Sequence, residues 1–379
     1  MRIAIVKLSA LGDIVHAMAV LQFIKKYNQE ILIDWVVEEN YKQLLEYHPE
    51  VNKVHTVNLK KAKNKMSLSL ILNDYRKLRK LQVYDLVIDM QGLMKSAILS
   101  RIIPSKITFG FDRASAREKI ASFFYTKTFK IGYEENVIKR NFELIKFALE
   151  LPYNFKDLQS KLPFMFSSQT YENLGLSSSK KNVVIIPGAS HSTKLYPVNK
   201  IARLTKLLDA KIIIIWGSQS ERLLAEEIKT LNPTVVITDQ LSIDQLISLI
   251  GQVDLVVGSD TGPTHLAWAC NIPSITLFGS TPGYRNALSS EKNQIIESKS
   301  NVNPLKIDKK DYSIQEIKVE EVLKIANYLL IEEKINVKIL NNTYSNFYWV
   351  DRTSGKVIRS KQAINPRLPR LRIDFVYKY

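Results

Sequence analysis

The chain has 379 residues, 45% of them hydrophobic and 24% charged, a balance that excludes a disordered polymer and suggests two globular domains. A single cysteine, Cys270, and five histidines exclude a disulfide framework and a Cys/His metal cluster and suit a reducing compartment. Fifty-four Lys and Arg against 37 Asp and Glu give a net charge of +17, which favours nucleic acid, an anionic membrane or phosphorylated substrates, with plain solubility as the alternative.

The N-terminal MRIAIVKLSALGDIVHAMAVL has the superficial look of a signal peptide, but Lys7 and Asp13 interrupt the apolar run. Nowhere do about 18 apolar residues follow one another, so no transmembrane helix is expected.

In chain order, RIAIVKL reads as a strand, followed by a helix over 13–26, the strand ILIDWVV, a helix near 41–47 and the strand VNKVHTVNL. An amphipathic helix over 68–81 precedes YDLVIDM, a short helix and KITFGF, and a helix over 136–151 closes this block. The serine-bearing stretch 152–181 suits a linker. Alternation resumes with NVVIIPG, a helix over 199–208, KIIIIWG, a helix near 221–230, TVVITD, SIDQLISLIGQ, VDLVVGSD, THLAWACN, PSITLFG and a last helix over 313–333. Continuous apolar strands joined by helices predict an α/β fold of two Rossmann-like halves with parallel sheets. The expected boundaries are 1–165, 166–333 and an extension, 334–379. In the extension, FYWVD and KVIRSKQ flank Arg352–Gly355 as a hairpin, and the last stretch, with its two prolines, is expected to be non-helical. This extension is rich in aromatic residues and carries ten basic residues against two acidic ones. It fits either a hairpin packed on the catalytic body or an anchor to an anionic membrane.

Three strand-end clusters stand out. Ser9-Ala10-Leu11-Gly12-Asp13 follows the first strand, where open parallel sheets gather ligands. Asp13 there fits a helix cap and also a catalytic carboxylate. The dinucleotide fingerprint G-x-G-x-x-G is absent from this turn. Gly258-Ser259-Asp260-Thr261-Gly262-Pro263-Thr264-His265 follows an apolar strand and offers helix amides and hydroxyls to a phosphate, and a carboxylate to a sugar or ribose hydroxyl. The plain alternative is a capped turn with His265 in the core. Pro187-Gly188-Ala189-Ser190-His191-Ser192-Thr193-Lys194 could place a lysine against a diphosphate, although it is not a Walker A loop. Lys60 belongs to a lysine run that reads as a solvated loop. Arg117 and Arg140, on predicted helices, suit chelation of carboxylate or phosphate.

Taken together, the opening segment, IDWVVEE, YDLVIDMQGLMKSA, SAREKIASFFY, STKLYP, IIWGSQSE and GSDTGPTHLAWA resemble the ADP-heptose transferase family of lipopolysaccharide heptosyltransferases over about 1–330. The resemblance implies a GT-B architecture, with two Rossmann-like domains facing each other across a cleft. It implies inverting transfer of heptose from ADP-heptose to the Kdo of Kdo2-lipid A at the cytoplasmic face of the inner membrane. It also implies Asp13 as the base and a donor site of Ser9, Gly12, Ser190, Lys194, Glu221, Asp260, Thr261, Gly262 and His265. Lys60, Arg117 and Arg140 would face the acceptor. Where the family commonly has paired threonines before the lysine, this chain has Ala189 and Ser190, so one hydroxyl contact to the diphosphate is not expected. No Asp-x-Asp triplet occurs, which suits a site without metal or other cofactor. Addition of a second heptose by a related transferase is the nearest alternative. Nucleic-acid binding, suggested by charge alone, lacks any signature motif.

Overall fold

The computed structural model describes residues 1–172, 174–304 and 307–331, and the backbone of three strands beyond them. The chain divides into two compact units, Met1–Leu329 and Leu330–Tyr379. The first unit begins with β1 (Arg2–Val6), α1 (Leu11–Met18), α2 (Leu21–Tyr27), β2 (Leu32–Glu38), β3 (Lys53–Val57), α3 (Leu59–Asn64), α4 (Leu68–Arg79), β4 (Tyr84–Asp89), α5 (Met94–Ile102), β5 (Ser105–Phe111), β6 (Lys127–Phe129) and α6 (Val137–Leu149). Its strands pair entirely in parallel in the order β3-β2-β1-β4-β5-β6.

The second set is β7 (Asn182–Ile186), α7 (Val198–Leu207), β8 (Lys211–Ile214), α8 (Gln219–Leu231), β9 (Val236–Ile237), α9 (Ile243–Ile250), β10 (Leu255–Ser259), α10 (Gly262–Ala269), β11 (Ser274–Phe278), α11 (Gly283–Asn286), β12 (Asn293–Glu297) and α12 (Val319–Leu330). Its order, β12-β11-β10-β7-β8-β9, again parallel, repeats that of the first sheet. β1, β7 and β10 are buried along nearly their whole length, as strands covered on both faces must be. In each sheet the strand order reverses beside the first strand, and there the loops after β1 and β4, and after β7 and β10, open a crevice.

The expected 13–26 helix is two helices. At the break, the Val20 amide reaches back to Ala17 at 3.5 Å, and Phe23 bonds Val20 at 3.0 Å in place of the next full turn. The segment expected to be helical near 41–47 is a 3-10 turn, Glu39–Leu44. The lysine run expected as a loop contains α3, and Arg117 lies in an irregular bend and not on a helix. In the second unit, β13 (Lys334–Ile339), β14 (Asn342–Val350) and β15 (Val357–Lys361) form an antiparallel sheet. The anticipated strand pair is β14 with β15. Its turn and the proline-bearing stretch lie outside the described residues. No described helix is long and apolar enough to cross a membrane.

The linker is pinned from both sides. The Leu162 amide donates to Gln22 of α2 at 2.9 Å, and the Phe164 amide donates to the Ala269 carbonyl at 3.0 Å. Lys161 is buried, donates to the Trp268 carbonyl at 2.6 Å and to Asn271, and burial pushes its ammonium down to about 7. The halves also meet directly, α1 packing on α10. Glycine permits this approach: a Cβ on Gly12 would stand 2.7 Å from the His265 ring, and one on Gly262 would stand 2.7 Å from Leu11.

At the opposite ends of the first sheet's strands from the crevice, Asp34 on β2 is fully buried. It accepts from Asn52 at 2.6 Å and Tyr84 at 2.6 Å, with His55 at 3.4 Å. Burial favours the neutral acid, but hydrogen bonds from His55, Tyr84 and Asn52 outweigh it and hold the carboxyl at about 2. Its folded value lies below the unfolded one, so its stabilisation, on the order of 2 kcal/mol, is complete above about pH 4 and is lost as pH falls toward about 2. Asp34→Ala is therefore expected to lower the urea midpoint of the first unit at neutral pH. The gap to the unaltered protein should narrow steadily below about pH 4, whereas a constant gap would contradict the assignment.

Candidate active site

The loops at the two crevices converge on one cleft of about 900 Å³, at the upper end of the size usual for a small-molecule site. One wall carries Gly12, Asp13, His16, Tyr41, Lys60 and Arg117. The other carries Ser190, Lys194, Glu221, Asp260, Thr261, Gly262 and His265.

On the first wall, the loop after β1 is held by a side chain from the loop after β4. Gln91 Oε1 accepts from the amides of Leu8 at 3.0 Å and Ser9 at 3.3 Å, and its Nε2 donates to the Ser9 carbonyl at 2.8 Å. Buried Asp89 fixes the β4 loop in turn, taking the Gln91 amide at 2.7 Å, Ser96 Oγ at 2.8 Å and the Tyr125 hydroxyl at 2.7 Å. The loop delivers half-buried Asp13 to the first turn of α1, where Oδ2 accepts the Ala10 amide at 3.2 Å. The cap and the cleft position thus coexist in one residue. Below it, buried Lys7 donates to the Met90 carbonyl at 3.0 Å. Burial lowers its ammonium pKa, and the charges of Asp13 and Asp89 oppose that shift.

The second wall is organised by Asp260, at the end of β10 and only 8% exposed. Its Oδ2 accepts from Lys194 Nζ at 2.7 Å, Thr281 Oγ1 at 2.9 Å and Asn286 Nδ2 at 3.2 Å, while Oδ1 meets His265 Nε2 at 3.1 Å. Burial alone would raise the carboxyl, but the His265 hydrogen bond and the Lys194 charge hold it far below the usual carboxylate range. Lys194 has three N–H groups, and Asp260 engages two of them, one through Oδ2 and one through its carbonyl at 3.2 Å. Glu221 caps α8, accepting the Gly217 amide at 2.7 Å and the Ser218 amide at 3.2 Å. It lies against the 187–194 loop because position 188 is glycine: a Cβ there would stand 2.4 Å from its carboxyl carbon.

Two expected site residues are not on the cleft wall. Ser9 is taken up by the Gln91 staple through its main chain. Arg140 is buried in α6 and donates to the carbonyls of Ser115, Ile131 and Gly132. Its guanidinium also stacks on Phe111 and Tyr133, and burial lowers it to about 10. An arginine so engaged shapes the 112–133 segment that carries Arg117 and is not free for a ligand.

Several further residues line the cleft without a motif in the sequence to mark them. His16 packs edge-on against His265 with ring centroids 4.3 Å apart, and burial, then the His265 charge, keep it far toward the neutral form. Arg285 donates to the Tyr133 carbonyl at 2.9 Å and stacks on that ring, tying the two walls together. Ile186, Ile215, Trp216, Leu241, Ile243 and Leu246 form an apolar end of the cleft. The strand-end positions of Ile186, closing NVVII, and of Ile215 and Trp216, after KIII, were visible signals.

The sequence profile described as Glycosyltransferase family 9 (heptosyltransferase) matches residues 73–314, nearly two thirds of the chain. The chain belongs to glycosyltransferase family 9. It is 40% identical to lipopolysaccharide heptosyltransferase 1 of Campylobacter coli, over 88% of this chain and 100% of that one. To the protein of the same name in Pseudomonas aeruginosa it is 30% identical, over 76% of this chain and 81% of that one. The structure titled E. coli heptosyltransferase WaaC with ADP shares the fold at a TM-score of 0.72 and 23% identity, covering 87% of this enzyme and 100% of that chain. A profile described as Group 4 capsule polysaccharide lipoprotein also matches residues 294–376. The enzyme is thus a heptosyltransferase with two parallel six-stranded sheets, as expected of GT-B.

Removing the Asp260 carboxylate would leave the Lys194 ammonium buried without its counter-ion. Asp260→Ala is expected to cost about 3 kcal/mol or more in stability, read as a fall in the denaturation midpoint. A variant as stable as the parent would show that the four donors are not organised by this carboxylate.

Proposed function

We propose that this heptosyltransferase moves L-glycero-D-manno-heptose from ADP-heptose to the Kdo of Kdo2-lipid A with inversion, using Asp13 as base. The observation that carries the reading is the opposition of the walls. A carboxylate stands at the mouth of one sheet, and a buried cation beside a helix N-terminus stands at the mouth of the other. Relatives at 40% and 30% identity that are named lipopolysaccharide heptosyltransferase 1 support the choice of substrates.

In this reading the adenine enters the apolar end around Trp216 and Leu241, and the diphosphate lies at the N-terminus of α10 beside Lys194. Asp13 takes the proton of the acceptor hydroxyl while that oxygen attacks the anomeric carbon from the face opposite the diphosphate. The bond from the anomeric carbon to the phosphate oxygen breaks, and its electron pair leaves on ADP. Lys194 and the α10 amides meet the growing charge. Ser190, Glu221, Thr261 and Gly262 complete the donor wall, with Asp260 and His265 fixing Lys194 and the helix start.

Lys60 and Arg117, on the Asp13 wall, are the groups for an anionic acceptor. Arg140 serves them indirectly, through the carbonyls that shape the Arg117 loop. An acceptor held by its lipid in the inner membrane places the enzyme at that membrane's cytoplasmic face, as a peripheral protein.

The deciding experiment measures ADP release from ADP-heptose with and without Kdo2-lipid A, beside acceptors that already carry one heptose. Release that depends on Kdo2-lipid A is expected, and a strict preference for the heptosylated acceptor would replace this reading with second-heptose transfer. Asp13→Asn is expected to cut turnover by about 100-fold or more while donor affinity stays largely intact; a variant keeping most of its turnover removes Asp13 as base. Arg117→Ala is expected to raise the acceptor KM by about tenfold, the loss of one charge-assisted contact, with ADP-heptose little affected. Equal losses for both substrates would take Arg117 off the acceptor side.

A further inference from the structure

Beyond the rim of the cleft, the outer surface of the first sheet's half combines exposed apolar and basic side chains. Over residues 59–80, which contain α3 and α4, eight side chains are basic and all eight are exposed. The one acid there, Asp74, is buried and accepts the Asn58 amide at 2.7 Å. Among the lysines and arginines stand Met66, Leu68 and Leu72, exposed to 91%, 74% and 51%. Leu68 and Leu72 are one helical turn apart, on a different side of α4 from buried Asp74 and Leu78. α4 packs on α5, and α5 packs on the 3-10 turn Lys119–Phe124, where Ile120 and Phe123 are exposed to 58% and 74%. Neighbouring elements thus present five large apolar side chains to solvent.

Single exposed apolar residues need no explanation, but a group on contiguous elements marks an interaction surface. Charge decides the class of partner. A protein partner would need a densely acidic patch with apolar holes, whereas an anionic bilayer supplies headgroup charge and an apolar interior together. Position agrees. Lys60 and Arg117, which line the cleft, open the same two segments that carry Met66, Leu68 and Leu72 on one side and Ile120 and Phe123 on the other. A surface seated on this face would hold a membrane lipid with its head group at the Asp13 wall.

We propose that the face formed by Met66, Leu68, Leu72, Ile120 and Phe123, with the lysines around them, docks the enzyme on an anionic lipid surface and so presents the lipid acceptor to the cleft. The link to the acceptor rests on the function proposed above, whereas the docking itself does not. The apolar side chains enter the headgroup region, and the lysines supply attraction that salt screens.

The test uses the full chain with vesicles of phosphatidylcholine, with or without phosphatidylglycerol, read by flotation at low and high salt. The unaltered enzyme is expected to float with anionic vesicles, and less so at high salt. A combined Leu68→Ser, Leu72→Ser and Phe123→Ser variant is expected to float about tenfold less or worse, from lost apolar insertion. Its thermal midpoint and its kinetics on a deacylated, water-soluble acceptor should match the parent, while the KM for vesicle-embedded acceptor rises. The proposal is overturned if the parent ignores anionic vesicles or if the variant floats as the parent does. It is also overturned if Arg367→Gln, Arg370→Gln and Arg372→Gln in the C-terminal extension abolish flotation that the apolar variant retains. A parent that self-associates, with a monomeric variant of unchanged flotation, would make this face a subunit contact instead. Flotation that follows the apolar residues in an enzyme that transfers heptose to no Kdo acceptor would sink the acceptor reading and leave the docking face standing.

Discussion

A buried carboxylate surrounded by its donors is the constraint on which the donor wall rests. Asp260 is nearly sealed from water, and an isolated anion there would be neutralised by protonation. It stays charged because Lys194, Thr281, Asn286 and His265 all reach it. The four donors come from three stretches of chain, so the carboxylate also fixes the lysine turn after β7, the start of α10 and the segment from Thr281 to the end of α11. A cation beside helix amides is then held in place before any ligand arrives, and such pre-organisation makes electrostatic stabilisation effective.

The first sheet surrounds its own buried carboxyl, Asp89, with neutral hydrogen-bond donors. Gln91 and Asp89 clamp the loops after β1 and β4 through main-chain amides, so Asp13 rides on a loop fixed from behind. Its hydrogen bond to the Ala10 amide orients the carboxylate without burying it. The two walls differ in character: the half that carries Asp13, Lys60 and Arg117 offers a half-buried carboxylate and two cations, and the other half offers a buried lysine–carboxylate pair beside apolar side chains. The function proposed above assigns proton removal to the first and charge stabilisation to the second.

The sheets were legible in the sequence because parallel strands buried on both faces leave unbroken apolar runs, as in NVVII and LVVGS, and strand ends then locate the loops. The short edge strands β6 and β12 were not visible: KTF is too brief, and NQIIE has too few apolar residues. Asp13, Lys194 and Asp260 were legible as polar residues at strand ends. Arg140 misled for a physical reason. A guanidinium in sequence looks the same whether it meets a ligand or three carbonyls, and only the fold brings Ser115, Ile131 and Gly132 to it. Gln91 and His16 escaped because their roles depend on partners more than 80 and more than 200 residues away.

The glycine contacts between α1 and α10 set a mechanical limit on the enzyme. At Gly12 and Gly262 the two helices have no spare volume, since even a methyl group on either would overlap the other half. A joint already at contact can rotate but cannot shorten. Any tightening around a bound ligand must therefore swing about this point like a hinged jaw, with the greatest travel at the outer rims. Asp13, next to Gly12, and Asp260, two residues before Gly262, lie near this fulcrum and would keep their spacing while the outer rims swept inward.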